Sequence, residues 1–270
     1  MPEIFHQDGE ELLMLTEWQN VLAGFTTKQG GFSQQPFATF NLGLHVGDVQ
    51  PAVVRNRQKL SELLQIPLAR WICCEQTHDS HIAKITKQDA GKGAVDMETA
   101  LAQTDGLYTN EAELLLALCF ADCVPLYFAA PNYGLVGVAH AGWKGTVKNI
   151  AGKMVRLWCE REHIPLQEIM VAIGPAIGSC CYIVDDRVLN AAQNALGEKR
   201  DLPYREVSLG QYALDLKELN RLLLIKEGVL ASNIQVSDYC TSCAEDLFFS
   251  HRRDNGQTGR MMAFIVRKEE

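Results

Sequence analysis

The sequence predicts an α+β fold, with a mixed β-sheet core flanked by helices. Short apolar runs of strand length outnumber the segments with helical periodicity. The two kinds do not alternate strictly as strand–helix–strand, which a doubly wound parallel sheet would require. The chain has 270 residues, 47% of them hydrophobic and 21% charged, with no internal repeat, low-complexity tract or Pro/Gly/Ser-rich linker. That is ordinary globular usage, and one domain spanning 1–270 can bury a substantial core.

Residues 21–27 read as a strand, followed by a Gly-rich loop over 28–33. In 52–65, Val53, Val54, Leu60, Leu63 and Leu64 fall at helical spacing, and the pattern stops before Ile66-Pro67, so a helix is expected. Residues 71–75 and 81–86 read as strands around a short polar turn. Residues 87–105 read as a loop with room for one helical turn. Three short apolar runs, 114–120, 124–129 and 135–139, suit buried strands. The chain then turns through Gly142 and Gly145 into a helix predicted over 146–162, with Val147, Ile150, Met154, Val155 and Trp158 on one face. Residues 169–173 form a strand ending at Gly174-Pro175. Helices are expected over 186–196 and 214–227, and closing strands over 234–237 and 262–266.

A formal charge of −8 argues against a nucleic-acid or membrane-surface binder, since both partners are anionic. It leaves room for a local basic pocket that takes a small anion. The first residues carry no basic and apolar signal pattern, and the apolar stretch 114–130 is broken by Asp122 and Pro125. Nine cysteines cannot all pair within one chain, and Cys73-Cys74 and Cys180-Cys181 are vicinal. A reduced, cytoplasmic protein is expected, with no obligate protein partner evident.

Three polar residues stand where apolar strands end: His78 after Ile72-Cys73-Cys74, Cys123 before Val124-Pro125, and His140 after Gly137-Val138-Ala139. Strand ends are where a rigid backbone meets solvent. One Cys and two His suit zinc, and three protein ligands leave a fourth position for water or substrate. Their spacing is too wide to be a motif, and by spacing alone a buried thiol and two structural histidines are the commoner outcome. The same atoms could instead make Cys123 a nucleophile with His140 as its base. Cys240-Thr241-Ser242-Cys243 is a lone CxxC with no second pair, and structural thiols are expected there. Arg55, Arg57, Arg252, Arg253 and Arg260 offer phosphate-binding guanidinium groups, although most Arg clusters are solvated faces.

Longer segments carry a resemblance. They are Ala121-Asp122-Cys123-Val124-Pro125, Ala139-His140-Ala141-Gly142-Trp143-Lys144-Gly145-Thr146, and the run from Ile173 to Tyr182. The run from Phe40 to Asp48, then Phe249-Ser250-His251-Arg252-Arg253-Asp254 and Thr258-Gly259-Arg260, extend the likeness across nearly the whole chain. Jointly they resemble the YfiH/YlmD-like purine nucleoside phosphorylases, formerly described as laccase-domain or multicopper polyphenol oxidase proteins, and are nearest the YlmD branch.

The resemblance implies a β-sandwich-like sheet core flanked by helices, related to cysteine hydrolases and the CNF toxin. It implies Zn2+ held by His78, Cys123 and His140, which are also the catalytic residues, with Cu2+ as the alternative ion under the older description. It carries substrate binding to Asn41, Arg57, Arg253 and Arg260, with Arg57 and one of Arg253 or Arg260 expected on phosphate. The family usually has Gly where Asp79 follows His78. The implied activity is phosphorolysis of adenosine, inosine, guanosine and methylthioadenosine, with deamination of adenosine. Purine nucleosides and inorganic phosphate are the partners. For proton transfer, Asp122 and Glu75 lie near the ligands in sequence. The competing expectations are a Cys–His hydrolase of amide or cell-wall peptide substrates, a copper polyphenol oxidase, and a structural zinc protein.

Overall fold

The computed structural model of the chain describes residues 2–15, 18–197 and 201–269. Two six-stranded sheets form its centre. The first runs, in spatial order, Phe5–Asp8, Leu12–Leu15, Val21–Thr26, Met261–Arg267, Leu115–Phe120 and Trp71–Ile72. The second runs Ile234–Val236, Met170–Ile173, Val124–Ala130, Leu135–Ala141, Gly106–Thr109 and Ile82–Lys84. A small third sheet joins Ile183–Val184, Gln211–Leu214 and Tyr204–Ser208.

The period-2 geometry of a strand assigns each central residue to one of two cores. In Met261–Arg267, Met261, Ala263 and Ile265 face the space between the sheets, with Phe25, Phe120, Tyr127 and Val138. Met262, Phe264 and Val266 face outward, onto Leu60 and Leu64 of the helix Gln50–Leu64. In Val124–Ala130, Val124, Leu126 and Phe128 meet the helices Ile150–Arg161, Asp186–Leu196 and Leu216–Lys226 through residues such as Trp158, Val188 and Leu223. The layers are therefore helix, sheet, sheet, helices, and the predicted α+β class with a sandwich-like core is what the structure shows. Strands covered on both faces read as unbroken apolar runs, which is why these were visible in the sequence.

Two local expectations are corrected. The helix predicted over 146–162 is two helices, Trp143–Val147 and Ile150–Arg161. Asn149 breaks them: it adopts φ 57°, and its side chain accepts the Gly152 amide at 3.0 Å to start the second helix. Asn tolerates the left-handed region because its short polar chain bonds locally. The loop predicted over 87–105 holds two short 3-10 turns, Lys87–Asp89 and Met97–Thr99.

The chain crosses from the first sheet to the second twice at the same end of the sandwich. Residues 73–81 lead from Trp71–Ile72 to Ile82–Lys84, and residues 121–123 lead from Leu115–Phe120 to Val124–Ala130. Leu135–Ala141 also ends there, since its His140 pairs with Pro125.

Candidate active site

The two crossings and that strand end deliver the donors. The ligand-capable atoms of His78, Cys123 and His140 all lie within 4.8 Å of one another. The two imidazoles stand edge to face with centroids 4.7 Å apart. His140 is buried, Cys123 half-buried and His78 exposed. Asp122 adopts φ 82° and His78 φ 59°, so both crossings turn through the left-handed region at the site. A Cβ at Gly142 would stand 3.0 Å from Cys123 Sγ and 3.1 Å from His78 Cδ2. Glycine there keeps the space among the three donors clear.

Asp105, which no motif marked, organises the group. It is fully buried and immediately precedes the strand Gly106–Thr109. Its Oδ1 faces His140 Nδ1 at 2.8 Å and accepts the His78 amide at 3.0 Å. Its Oδ2 accepts the amides of Thr77 at 3.1 Å and Asp79 at 2.9 Å, and the Thr77 hydroxyl at 3.1 Å. A carboxylate on Nδ1 fixes the tautomer with Nδ1–H, which leaves Nε2 as the free donor. Burial would raise the Asp105 pKa, but His140 and the loop amides outweigh it and bring it down to about 2.

Cys123 and His140 polarise each other. Burial opposes ionisation of the thiol, yet the charge and hydrogen bond of His140, with help from His78, pull Cys123 down to about 6. Burial likewise opposes protonation of His140, but Cys123 and Asp105 raise it to about 9. Each charged form stabilises the other, so the geometry favours a thiolate beside an imidazolium. Two imidazoles and a readily formed thiolate are a donor set that suits zinc, and such a set gives up protons to bind it.

A cavity of about 520 Å³ opens over these donors. Trp143 and Tyr182 contribute aromatic faces; Lys144, Arg252 and Arg260 contribute cations; His45, His251 and Gln76 complete the polar wall. Of the four residues expected to bind substrate, only Arg260 lines this cavity. Asn41 is fully buried and acts behind it, accepting the Arg260 amide at 2.8 Å and donating to Asp48 at 2.8 Å. Arg57 is 1% exposed, and its guanidinium donates to the carbonyls of Leu42, Gly93 and Ala94 at 2.6–2.9 Å. Arg253 faces a separate depression and is held by Asp254 and by the carbonyls of Thr241, Ser242 and Phe248. Asn41, Arg57 and Arg253 therefore brace the backbone around the site and do not reach its cavity.

Asp79 needs no glycine at its position. Its φ is not positive, and its side chain turns outward to Lys148 at 2.7 Å. The Asp122 carboxylate accepts from the Thr241 hydroxyl at 2.7 Å, the Ser250 hydroxyl at 3.0 Å and the Arg252 amide at 2.7 Å, which ties the Cys123 turn to the chain after 240. Glu75 is exposed and accepts the Gln103 amide at 3.3 Å, outside the cavity wall. The lone CxxC has a partner pair after all: Cys180 and Cys181 bring their sulfurs within 4.8 Å of those of Cys240 and Cys243.

A family model described as multi-copper polyphenol oxidoreductase laccase matches residues 22–268. The chain belongs to this family. Within it, the likeness to YlmD proteins read from the motifs is borne out. The purine nucleoside phosphorylase YlmD of Geobacillus stearothermophilus is 59% identical, with 100% of this chain and 99% of that protein covered. The purine nucleoside phosphorylase YlmD of Bacillus subtilis is 51% identical over 95% of each. The crystal structure of YlmD from Geobacillus stearothermophilus matches with a TM-score of 0.98 over 99% of this chain and all of that one. Even at 28% identity the family fold persists: Neisseria meningitidis protein NMB0706 matches with a TM-score of 0.81 over 96% of this chain and 100% of that one.

Proposed function

We propose that this protein is a purine nucleoside phosphorylase. It cleaves adenosine, inosine, guanosine and methylthioadenosine with inorganic phosphate to the base and ribose 1-phosphate, or its methylthio analogue. It also deaminates adenosine to inosine. The observation that carries this reading is the make-up of one cavity: an N/S donor triad on its floor, cations and aromatic faces on its wall. Its volume is within the range of small-molecule sites, and relatives matching end to end are named purine nucleoside phosphorylases.

In phosphorolysis a phosphate oxygen bonds to C1′ while the C1′–N9 bond breaks, through an oxocarbenium-like state. Arg260, with Lys144 and Arg252, supplies the charge that holds a phosphate dianion against the sugar. Trp143 and Tyr182 offer faces for the purine. The departing base takes the bonding pair and needs a proton, for which the wall imidazole of His251 is placed; burial and the Arg260 cation hold His45 down to about 4, so it is not the carrier. Asp122 and Glu75 are given no such role, because the first is saturated by three donors and the second lies outside the cavity.

His78, Cys123 and His140 would hold the zinc ion, with Asp105 orienting His140 from behind. When bound, the ion supplies Lewis acidity at its open coordination position. Copper is not favoured as a multicopper centre: of seven histidines in the chain, only His78 and His140 join a metal-competent group among the described residues. Among those residues no helix is long and apolar enough to cross a membrane. Nine free cysteines suit a reducing compartment, and we place the protein in the cytoplasm.

One observation favours a second reading. Cys123, His140 and Asp105 line up as thiolate, imidazole and orienting carboxylate, the arrangement a cysteine hydrolase uses. That chemistry has no need of His78. Purified protein incubated with adenosine, with and without phosphate, separates the two. Phosphate-dependent adenine release that disappears in Cys123→Ala supports the phosphorylase. Adenine release that survives in Cys123→Ala removes the role of the thiol, and metal-independent covalent labelling of Cys123 by a substrate analogue supports the hydrolase.

A further inference from the structure

The nucleoside chemistry leaves a second sulfur cluster unused. Cys180 and Cys181 lie after the strand Met170–Ile173, and Cys240 and Cys243 lie after its parallel neighbour Ile234–Val236. The pairing continues past the strand ends as the bridge Ala176–Cys240, with the Thr241 amide donating to the Ala176 carbonyl at 3.0 Å. Two segments 60 residues apart in sequence are thus laid side by side, and the four sulfurs fall within 4.8 Å of one another. Cys180–Cys243 and Cys181–Cys243 are both 3.4 Å apart, and all four thiols are free. A disulfide would need about 2.05 Å. Four sulfurs placed tetrahedrally at about 2.3 Å from a zinc ion stand roughly 3.8 Å from one another, so the cluster is close to that size.

The backbone favours closure around such an ion. The amides of Cys181 and Tyr182 both donate to the Gly178 carbonyl at 3.0 Å, a tight turn that sets two adjacent thiols on one side. The Gly178 amide donates to Cys240 Sγ at 3.2 Å, a bond that favours thiolate over thiol. A Cβ at Gly178 would stand 3.2 Å from Cys180 Sγ and 3.3 Å from Cys240 Cβ, so glycine lets the two loops approach. Four thiolates and one dication leave excess negative charge. The Lys217 ammonium, held on the carbonyls of Ser237 and Tyr239, lies in the same depression as Cys180 and Cys240.

We propose that Cys180, Cys181, Cys240 and Cys243 form a second metal site that takes Zn2+ on four thiolates. Four protein donors close the coordination sphere, so the ion is structural. What it fastens is one wall of the cavity. Ile177 and Tyr182 flank the first pair, and Thr241, inside the CxxC, holds the Asp122 carboxylate next to Cys123.

The test uses the full chain purified under reductant, with zinc counted by mass spectrometry. The Cys180→Ser/Cys243→Ser double variant changes the two exposed ligands. In a Cys123→Ala background the chain is expected to keep one zinc per chain, and to lose it when the double change is added. The same background loaded with Co2+ is expected to show thiolate-to-cobalt charge transfer and tetrahedral ligand-field bands, which vanish with the double change. Should the donor triad hold no zinc, the wild type and Cys123→Ala bind the same single equivalent, and this second site stands independently of that reading. If the double variant does not fold, alkylation of the wild type decides. Labelling of Cys180 and Cys243 is expected to slow by about tenfold once free zinc exceeds its Kd by that factor. Zinc content unmoved by the double change, alkylation unaffected by zinc, or a disulfide among these four in protein isolated under reductant overturns the proposal.

Discussion

Asp105→Asn is the perturbation that asks most of the proposed centre. Asparagine keeps one acceptor oxygen. If that oxygen stays on His140 and His78, the new NH2 group faces the Thr77 and Asp79 amides, which are donors, at the former Oδ2 position. Two amide hydrogen bonds to a charged acceptor are lost, at about 1.5–3 kcal/mol each, while the Thr77 hydroxyl can turn and accept from the new NH2 group. Thr77 and Asp79 are exposed, so water recovers part of this and leaves a net loss of about 2–3 kcal/mol. At about 2–3 °C per kcal/mol the melting temperature falls by roughly 4–9 °C. The larger effect is on the ion. His78 is held in its φ 59° turn by the hydrogen bond its backbone amide donates to Asp105, and His140 is aimed by the same carboxylate. Losing a supporting group of this kind costs about 10–100-fold in metal affinity. The assay is chelator competition for zinc in a Cys180→Ser/Cys243→Ser background, so that only one class of site is titrated. Affinity within about twofold of the parent, far short of that range, would refute the claim that Asp105 holds the donors in place.

Arg260→Ala is expected to raise the phosphate KM by about 10–100-fold, the loss of one charge-assisted contact. Arg57→Ala leaves three buried carbonyls without their donor and is expected to lower stability by at least about 3 kcal/mol with the phosphate KM unchanged; urea unfolding and initial-rate kinetics separate the two outcomes. Gly142→Ala puts a methyl group 3.0 Å from Cys123 Sγ and should reduce zinc content at the triad while far-ultraviolet dichroism stays unchanged. Glu162 accepts from Lys84 at 2.6 Å and Tyr108 at 3.0 Å; burial opposes its ionisation, but these bonds win and hold its pKa below the ordinary 4.5. Its contribution is therefore present above 4.5 and lost as pH falls through the lower folded value, so urea midpoints of Glu162→Gln should fall less steeply below about pH 5 than those of the parent.

The parts of the fold legible in the sequence are those whose residues face a core on both sides or along one stripe. Residues 115–120 and 124–130 are apolar at nearly every position because each lies between a helix layer and the opposite sheet. Leu12–Leu15 carries that signal in only four residues, too few to stand out, and other strands outside the expectation lack it. Tyr204–Ser208 is exposed along its whole length. Gly106–Thr109 is buried but only four residues long, and it follows the polar pair Thr104-Asp105. The donors were reached through resemblance to a family, since 45 and 17 residues separate them and only the paired crossings bring them together. Asp105 had no chance of standing out: it is one acidic residue among 33, and its five contacts come from residues 26–35 positions away. The arginines show the opposite failure. Residue type singled out Arg57, but a guanidinium also satisfies buried carbonyls, and only the fold says which use is made of it.

Both crossings from the first sheet to the second lie at one end of the sandwich, while the hairpin through Pro131–Tyr133 closes one strand pair at the other. His78 and Cys123 sit in the crossings, and His140 ends a strand of the second sheet. Breathing of the sandwich at that end separates all three donors in one motion. Release of the ion and exposure of the inter-sheet amides near Phe120 and Ala139 are then expected to be a single opening event, which hydrogen exchange would report as one correlated unit. A bound ion is expected to slow that exchange by adding one more link between the two sheets at the end where these crossings run.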